Sequence, residues 1–327
     1  MHKGKYQDSY VWMKVMQWLG VLALLTVVAM AGWMVVPCDH QSTEALKWFQ
    51  FVQTVGTFLL PPFVCAWLWS AKPLEWLHLE GIRTASLKLQ GTKIKTPSAF
   101  PTCFVFSSAV LLMVVAIPGI NLIADWNSRL ELPAFMAGIE QWMQAQEEAA
   151  MALTERFLNV RGIGPMLVNV GLMALLPAVA EELTFRGVIQ SLVAGRCSFE
   201  ERDALHGVAT SRRTHMAVWV TAILFSAIHM QFYGFVPRML LGALFGYALI
   251  WTGSLWVPIV MHFTNNAITV VAYWVISNRG IDPEAIETFG IGETAWVGWL
   301  SMALTAAGIY FFWRLSRQMS NASSRIS

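Results

Sequence analysis

Two adjacent carboxylates and an arginine interrupt an apolar stretch: Leu175-Leu176-Pro177-Ala178-Val179-Ala180-Glu181-Glu182-Leu183-Thr184-Phe185-Arg186-Gly187. Further along, Phe225 and His229 stand four positions apart, and so do His262 and Asn266. Charged and polar side chains inside apolar helices are costly, which makes each a functional candidate. On a helix, Glu182 and Arg186 share a face and can pair. Glu181 then points about 100° away, without that partner. An unpaired carboxylate in low-dielectric surroundings can serve as a general base. A glutamate and two histidines converging from different helices supply a base, a group that orients water and a stabiliser of an oxyanion. The same three residues also form a plausible divalent-metal set. Amide hydrolysis needs such parts. For each motif alone the plainer reading is stronger: a buried histidine bonded to a neighbouring helix, or Asn265 and Asn266 joining two helices. The combination points to chemistry. Pro177, one turn before Glu181, cannot donate a backbone hydrogen bond and so frees a carbonyl there.

These residues must be positioned by membrane helices. The chain has 327 residues, 56% hydrophobic and 13% charged, about half the charged share of a soluble domain. Apolar runs of about 20 residues recur, the length that crosses a bilayer core. The pattern predicts an all-α polytopic membrane bundle of about eight spans, near 15–36, 49–71, 99–123, 164–192, 216–232, 236–252, 255–277 and 294–313. The first run is too long for a signal-peptide core and reads as a retained span. Basic residues cluster in alternate connections: Lys3, Lys5 and Lys14; Lys72, Arg83, Lys88, Lys93 and Lys95; Arg196, Arg202, Arg212 and Arg213; Arg314, Arg317 and Arg325. The positive-inside rule then puts both termini in the cytoplasm, with Arg238 as the exception. The organisation expected is 1–123, N-terminal spans; 124–163, an extracytoplasmic amphipathic helical segment; 164–277, the core bearing the motifs; and 278–327, the last span and a cytoplasmic tail. In 124–163, Phe135, Ile139, Trp142, Ala149, Leu153 and Phe157 recur at helical spacing between glutamates. Such a helix lies on the membrane surface or caps an intramembrane cavity.

Several classes are excluded or left without support. A net charge of +2 offers no nucleic-acid footprint. Cys38, Cys65, Cys103 and Cys197 form neither a CxxC pair nor a metal spacing, and read as unpaired thiols. Gly242 and Gly246 form a GxxxG that reads as close helix packing. The loop histidines carry no functional mark.

The ordered set Glu181-Glu182-x-x-x-Arg186, Phe225-x-x-x-His229 and His262-x-x-x-Asn266 resembles the CAAX-protease and bacteriocin-processing family (CPBP, or Abi), which includes the type II CAAX prenyl endopeptidases. The stretch Gly253-Ser254-Leu255-Trp256-Val257-Pro258 is similar to that family as well. The resemblance covers about residues 164–277. It implies an intramembrane endopeptidase, metalloprotease-like or glutamate-dependent, that acts on a membrane-associated protein or peptide within the lipid. Glu181 and His229 would activate water, His262 and Asn266 would stabilise the oxyanion, and Glu182, Arg186 and Phe225 would support the site. Glu181, His229 and His262 could instead hold Zn²⁺, although the HExxH signature is absent. The setting expected is a bacterial inner membrane. Two other readings compete. A non-catalytic scaffold or bacteriocin-immunity protein would be free to lose the Glu, His, His and Asn set. A proton-coupled transporter would tend to show repeated span patterns, and outside the amphipathic segment, where Glu147-Glu148 stands, no second Glu-Glu or Phe-x-x-x-His occurs in the N-terminal half.

Overall fold

The computed structural model describes residues 4–82, 86–89, 92–95, 102–195, 212–281 and 288–324. Cys197, His2, His206 and the basic residues Lys3, Arg83, Arg196, Arg202 and Arg325 lie outside them. The chain is an all-α polytopic bundle, with a short antiparallel hairpin pairing Ser86–Leu89 with Thr92–Lys95. Its main helices are α1 (Val11–Met34), α2 (Thr43–Trp69), α3 (Thr102–Ser128), α4 (Ala137–Leu158), α5 (Ile163–Val193), α6 (Arg212–Ala227), α7 (Phe235–Thr252), α8 (Trp256–Asn278) and α9 (Ala295–Ser324).

Among the described residues, seven helices are long and apolar enough to cross a membrane. The difference from the expected eight lies at 216–232. There α6 stops at Ala227 after 16 residues, about 24 Å and short of a bilayer core of about 30 Å. The apolar residues beyond it, Ile228 and Met230, belong to a turn, in which Met230 takes a left-handed φ of 56°. Hydropathy sees those residues as more span, because it cannot see where the helical hydrogen bonds end. The turn leads back into α7, so α6 and α7 form a hairpin.

Among the described residues, the two largest apolar clusters hold the bundle. One joins α3, α7, α8 and α9 through Met113, Phe245, Val257, Met261 and Phe312. The other joins α2, α5, α7 and α8 through Trp69, Leu183, Val188, Leu249 and Ile259. Helix α9 docks on α3 at a proline. Next to Pro118, the Ser301 hydroxyl enters the helical ladder, accepting from Gly119 N at 3.0 Å and donating to Val115 O. The stretch from Gly253 to Trp256 is pinned by the segment after α2: Leu255 N donates to His78 O at 2.9 Å, Trp256 Nε1 to Leu79 O at 2.9 Å and Ser254 Oγ to Glu80 O at 3.2 Å. His78 itself takes a φ of 59° to present that carbonyl. The start of α8, and hence His262, is therefore fixed against the N-terminal half.

Helix α4 is the expected amphipathic helix. Its apolar stripe is buried at its end, at Phe157 and Leu158, and Trp142 meets Phe232 with ring centres 5.4 Å apart. Phe135, Ile139, Met151 and Leu153 stay exposed. Asn169 Nδ2 donates to Phe157 O at 2.6 Å, which ties that end to α5.

Candidate active site

The site forms where α5, α6, α7 and α8 meet. Helix α5 is irregular there: π-helical turns at Val170–Leu175 and Leu183–Ile189 flank the regular turn that carries Glu181 and Glu182. Such wide turns follow from displaced backbone hydrogen bonds and re-aim side chains. Pro177 removes the donor that would face Met173 O. That carbonyl instead receives a long, 3.5 Å contact from Asn266 Nδ2.

Glu182 and Arg186, expected to pair, do so: Arg186 Nη1 donates to Glu182 Oε1 at 2.7 Å, and both side chains are fully buried. The same oxygen lies 2.9 Å from His262 Nδ1. Because a carboxylate oxygen accepts, Nδ1 is the donor and the ring's Nε2 turns the other way. Arg186 also donates to Gly242 O at 2.9 Å, and Gln190, one turn on, donates to Gly246 O at 3.2 Å. The GxxxG of α7 therefore does more than allow close approach. Its two glycine carbonyls receive two side chains of α5 at matching one-turn spacing. A Cβ on Gly242 would lie 3.2 Å from the Phe225 ring and 3.3 Å from Arg186 Nη2. The guanidinium carbon sits 4.4 Å from the centre of Phe225, a cation–π contact. Phe225 meets Phe185, His229 and His262 edge-on, and Phe245 stacks on His262.

His229 lies two residues beyond the end of α6. Its Nδ1 donates to Phe225 O at 2.7 Å, which again leaves Nε2 free to face inward. Both histidines thus present Nε2 to the same atom. Glu181 Oε2 lies 3.8 Å from His229 Nε2 and 3.9 Å from His262 Nε2. It is buried and accepts no hydrogen bond. These separations are too long for direct hydrogen bonds and suit a small group held among the three.

The structure thus brings Glu181, His229 and His262 together, with Glu182, Arg186 and Phe225 behind them. Asn266 stands one turn from His262 on α8, yet its bonds run to Met173 O and to Asn265 Nδ2 rather than to Glu181. Two residues escaped the sequence reading. Arg238 sits within electrostatic range of Glu181 and donates twice to Gln231, to its O at 3.1 Å and its Oε1 at 2.9 Å. Its place as the misfit in the charge alternation was the available signal. Asn127, at the end of α3, bonds the turn after His229 and carried no signal.

Residues 163–268 match the family model described as type II CAAX prenyl endopeptidase Rce1-like. That segment is similar to Rce1-like domains. All seven residues of the ordered motifs fall inside the Rce1-like segment, and α1 to α4 fall outside it. The chain is also similar to an uncharacterized protein, YpbD, of Bacillus subtilis (strain 168), with 29% identity over 100 residues, 29% of this chain and 41% of that protein. The chain therefore spans about two-fifths of the length of the curated relative it matches. No solved structure matches it.

Proposed function

We propose that this protein is an intramembrane endopeptidase that hydrolyses a peptide bond of a membrane-associated protein or peptide. The observation that carries this reading is the buried, unbonded Glu181 Oε2 between two imidazole Nε2 atoms. A buried acceptor without a partner asks for a reason, and a substrate water supplies one.

In the proposed reaction, water rests between Glu181 Oε2 and His229 Nε2. Glu181 takes a proton as the water oxygen bonds to the peptide carbonyl carbon. The carbonyl electron pair moves to its oxygen, where donors must meet it. His262 and Asn266 serve there. For His262 to donate, Nε2 must carry a proton while the Glu182 carboxylate holds the ring by its Nδ1–H. Asn266 offers the amide proton of Nδ2 that does not face Met173 O. Glu181 then passes its proton to the amine nitrogen as the C–N bond breaks.

A divalent ion is the other proposed activator of that water. The donor set, a glutamate oxygen and two oriented imidazoles, is of the type zinc hydrolases use, with Glu182 and Phe225 O as outer partners. As placed, no group of three His, Cys, Asp or Glu side chains among the described residues makes a metal cluster. The donors would have to close from 3.8 and 3.9 Å to about 3.3 Å for tetrahedral zinc. An ion held there would supply a more acidic water.

The setting we propose is a bacterial inner membrane with both termini cytoplasmic, from the clustering of basic residues. That requires α6 to count as a crossing, its far end completed by the turn at 228–234.

The test is cleavage of membrane-anchored peptides by the full chain in liposomes, read by mass spectrometry, beside Glu181→Ala and His229→Ala and with a chelator. The reading expects fragments from wild type alone. Loss of cleavage in chelator assigns water activation to an ion, and resistance assigns it to Glu181. Equal fragmentation by wild type and both variants would overturn the proposal.

A further inference from the structure

The turn that carries His229 is held from outside the Rce1-like segment. Asn127, in the last turn of α3, is buried. Its Nδ2 donates to Phe232 O at 3.0 Å, and its Oδ1 accepts from Val236 N at 2.7 Å. One amide thereby bonds both sides of the short 3₁₀ turn Phe232–Gly234 that leads into α7. Further bonds close the turn from other sides: Ser226 Oγ to Phe235 O at 2.7 Å, Tyr233 N to Glu147 Oε2 at 3.3 Å, and the Arg238 guanidinium to Gln231. Non-helical backbone at membrane depth survives only where protein satisfies it, and these side chains do so.

Otherwise His229 is held from its own helix, through Phe225 and through Met230 N to Ala227 O at 3.1 Å. Helix α6 ends before it, and its own amide reaches Ser226 O at a long 3.3 Å. The next residue, Met230, has the left-handed φ that a β-carbon disfavours. The ring is oriented by Phe225 O, but the distance from Nε2 to Glu181 depends on where the turn sits relative to the bundle. Asn127 sets that position against α3. An amide is suited to the task because it donates and accepts at once. Aspartate keeps only the acceptor, and alanine keeps neither, leaving a buried carbonyl and a buried N–H unpaired.

We infer that Asn127 is a positioning residue for His229, so that the N-terminal half completes the catalytic geometry of the Rce1-like segment. Its catalytic consequence rests on the protease reading, whereas its hold on the turn does not.

The experiment is hydrogen–deuterium exchange on the full chain in lipid nanodiscs, with kcat and KM measured alongside. The variants are Asn127→Ala, Asn127→Asp and, as a control on the same helix, Asn121→Ala, whose side chain donates to Phe289 O at 3.0 Å, away from the turn. In Asn127→Ala, amides 229–236 should exchange about tenfold faster or more, the size expected for losing buried hydrogen bonds, while α7 and α8 beyond the turn exchange as in wild type. The kcat should fall about tenfold with KM within about twofold, the pattern of a misplaced catalytic group. Asn127→Asp should lie between, and Asn121→Ala should match wild type. If Asn127→Ala does not fold, the aspartate variant carries the comparison. Unchanged exchange at 229–236, or faster exchange spread evenly over all helices, would overturn the inference. If no peptide is cleaved by wild type, the exchange pattern still decides the role of Asn127, and the protease reading fails on its own.

Discussion

Glu182 Oε1 lies 2.9 Å from His262 Nδ1. That oxygen also accepts from Arg186, so the second glutamate of the pair is committed to holding its neighbours. The first, Glu181, keeps an unbonded oxygen facing both imidazoles. Two residues of one chemical type, side by side in sequence, thus have opposite expected mutant behaviour. Removing one partner of a fully buried ion pair strands the other charge, at a cost of about 3–5 kcal/mol. Glu182→Ala should therefore unfold at clearly lower temperature than wild type in the same detergent. A melting temperature within about one degree of wild type would show that the pair does not hold the site.

Pro177 separates stability from activity. It lacks the N–H that would compete with Asn266 for Met173 O. Pro177→Ala supplies that donor and improves helix propensity by up to about 3 kcal/mol. The variant should melt higher yet cleave about tenfold more slowly, as an oxyanion donor is drawn out of place. A rise in melting temperature with full activity would remove Asn266 from the proposed mechanism.

The glycines of α7 give a graded packing test. A Cβ on Gly246 would meet Gln190 Oε1 at 2.7 Å and Val218 Cγ1 at 3.1 Å, whereas one on Gly20 of α1 meets nothing within 4 Å. Gly246→Ala should destabilise by about 1–3 kcal/mol through overpacking. Gly20→Ala should be neutral or slightly stabilising. Equilibrium unfolding in mixed micelles measures both. Equal effects would show that α5, α6 and α7 are not packed as tightly as described.

Much of this was legible in the sequence, for identifiable reasons. The all-helical membrane class follows from composition and run length, because lipid leaves the backbone few choices. The Glu182–Arg186 pair follows from one-turn spacing. The meeting of Glu181 with His229 and His262 could be framed only as an expectation, since spacing within a helix says nothing about which helices touch. The end of α6 was misjudged because Ile228 and Met230 are apolar without being helical. Asn127 was invisible: its partners are backbone atoms more than a hundred positions away. The link between the GxxxG and the site was hidden for the same reason, because carbonyls leave no trace in residue type.

The most direct measurement is single-turnover cleavage of a membrane-anchored peptide by Glu181→Gln, with thermal unfolding of the same sample. Glutamine keeps the size of the side chain and removes the base. The account predicts a rate about 10²–10⁴-fold below wild type at an unchanged melting temperature. Cleavage at the wild-type rate by a folded Glu181→Gln would contradict it.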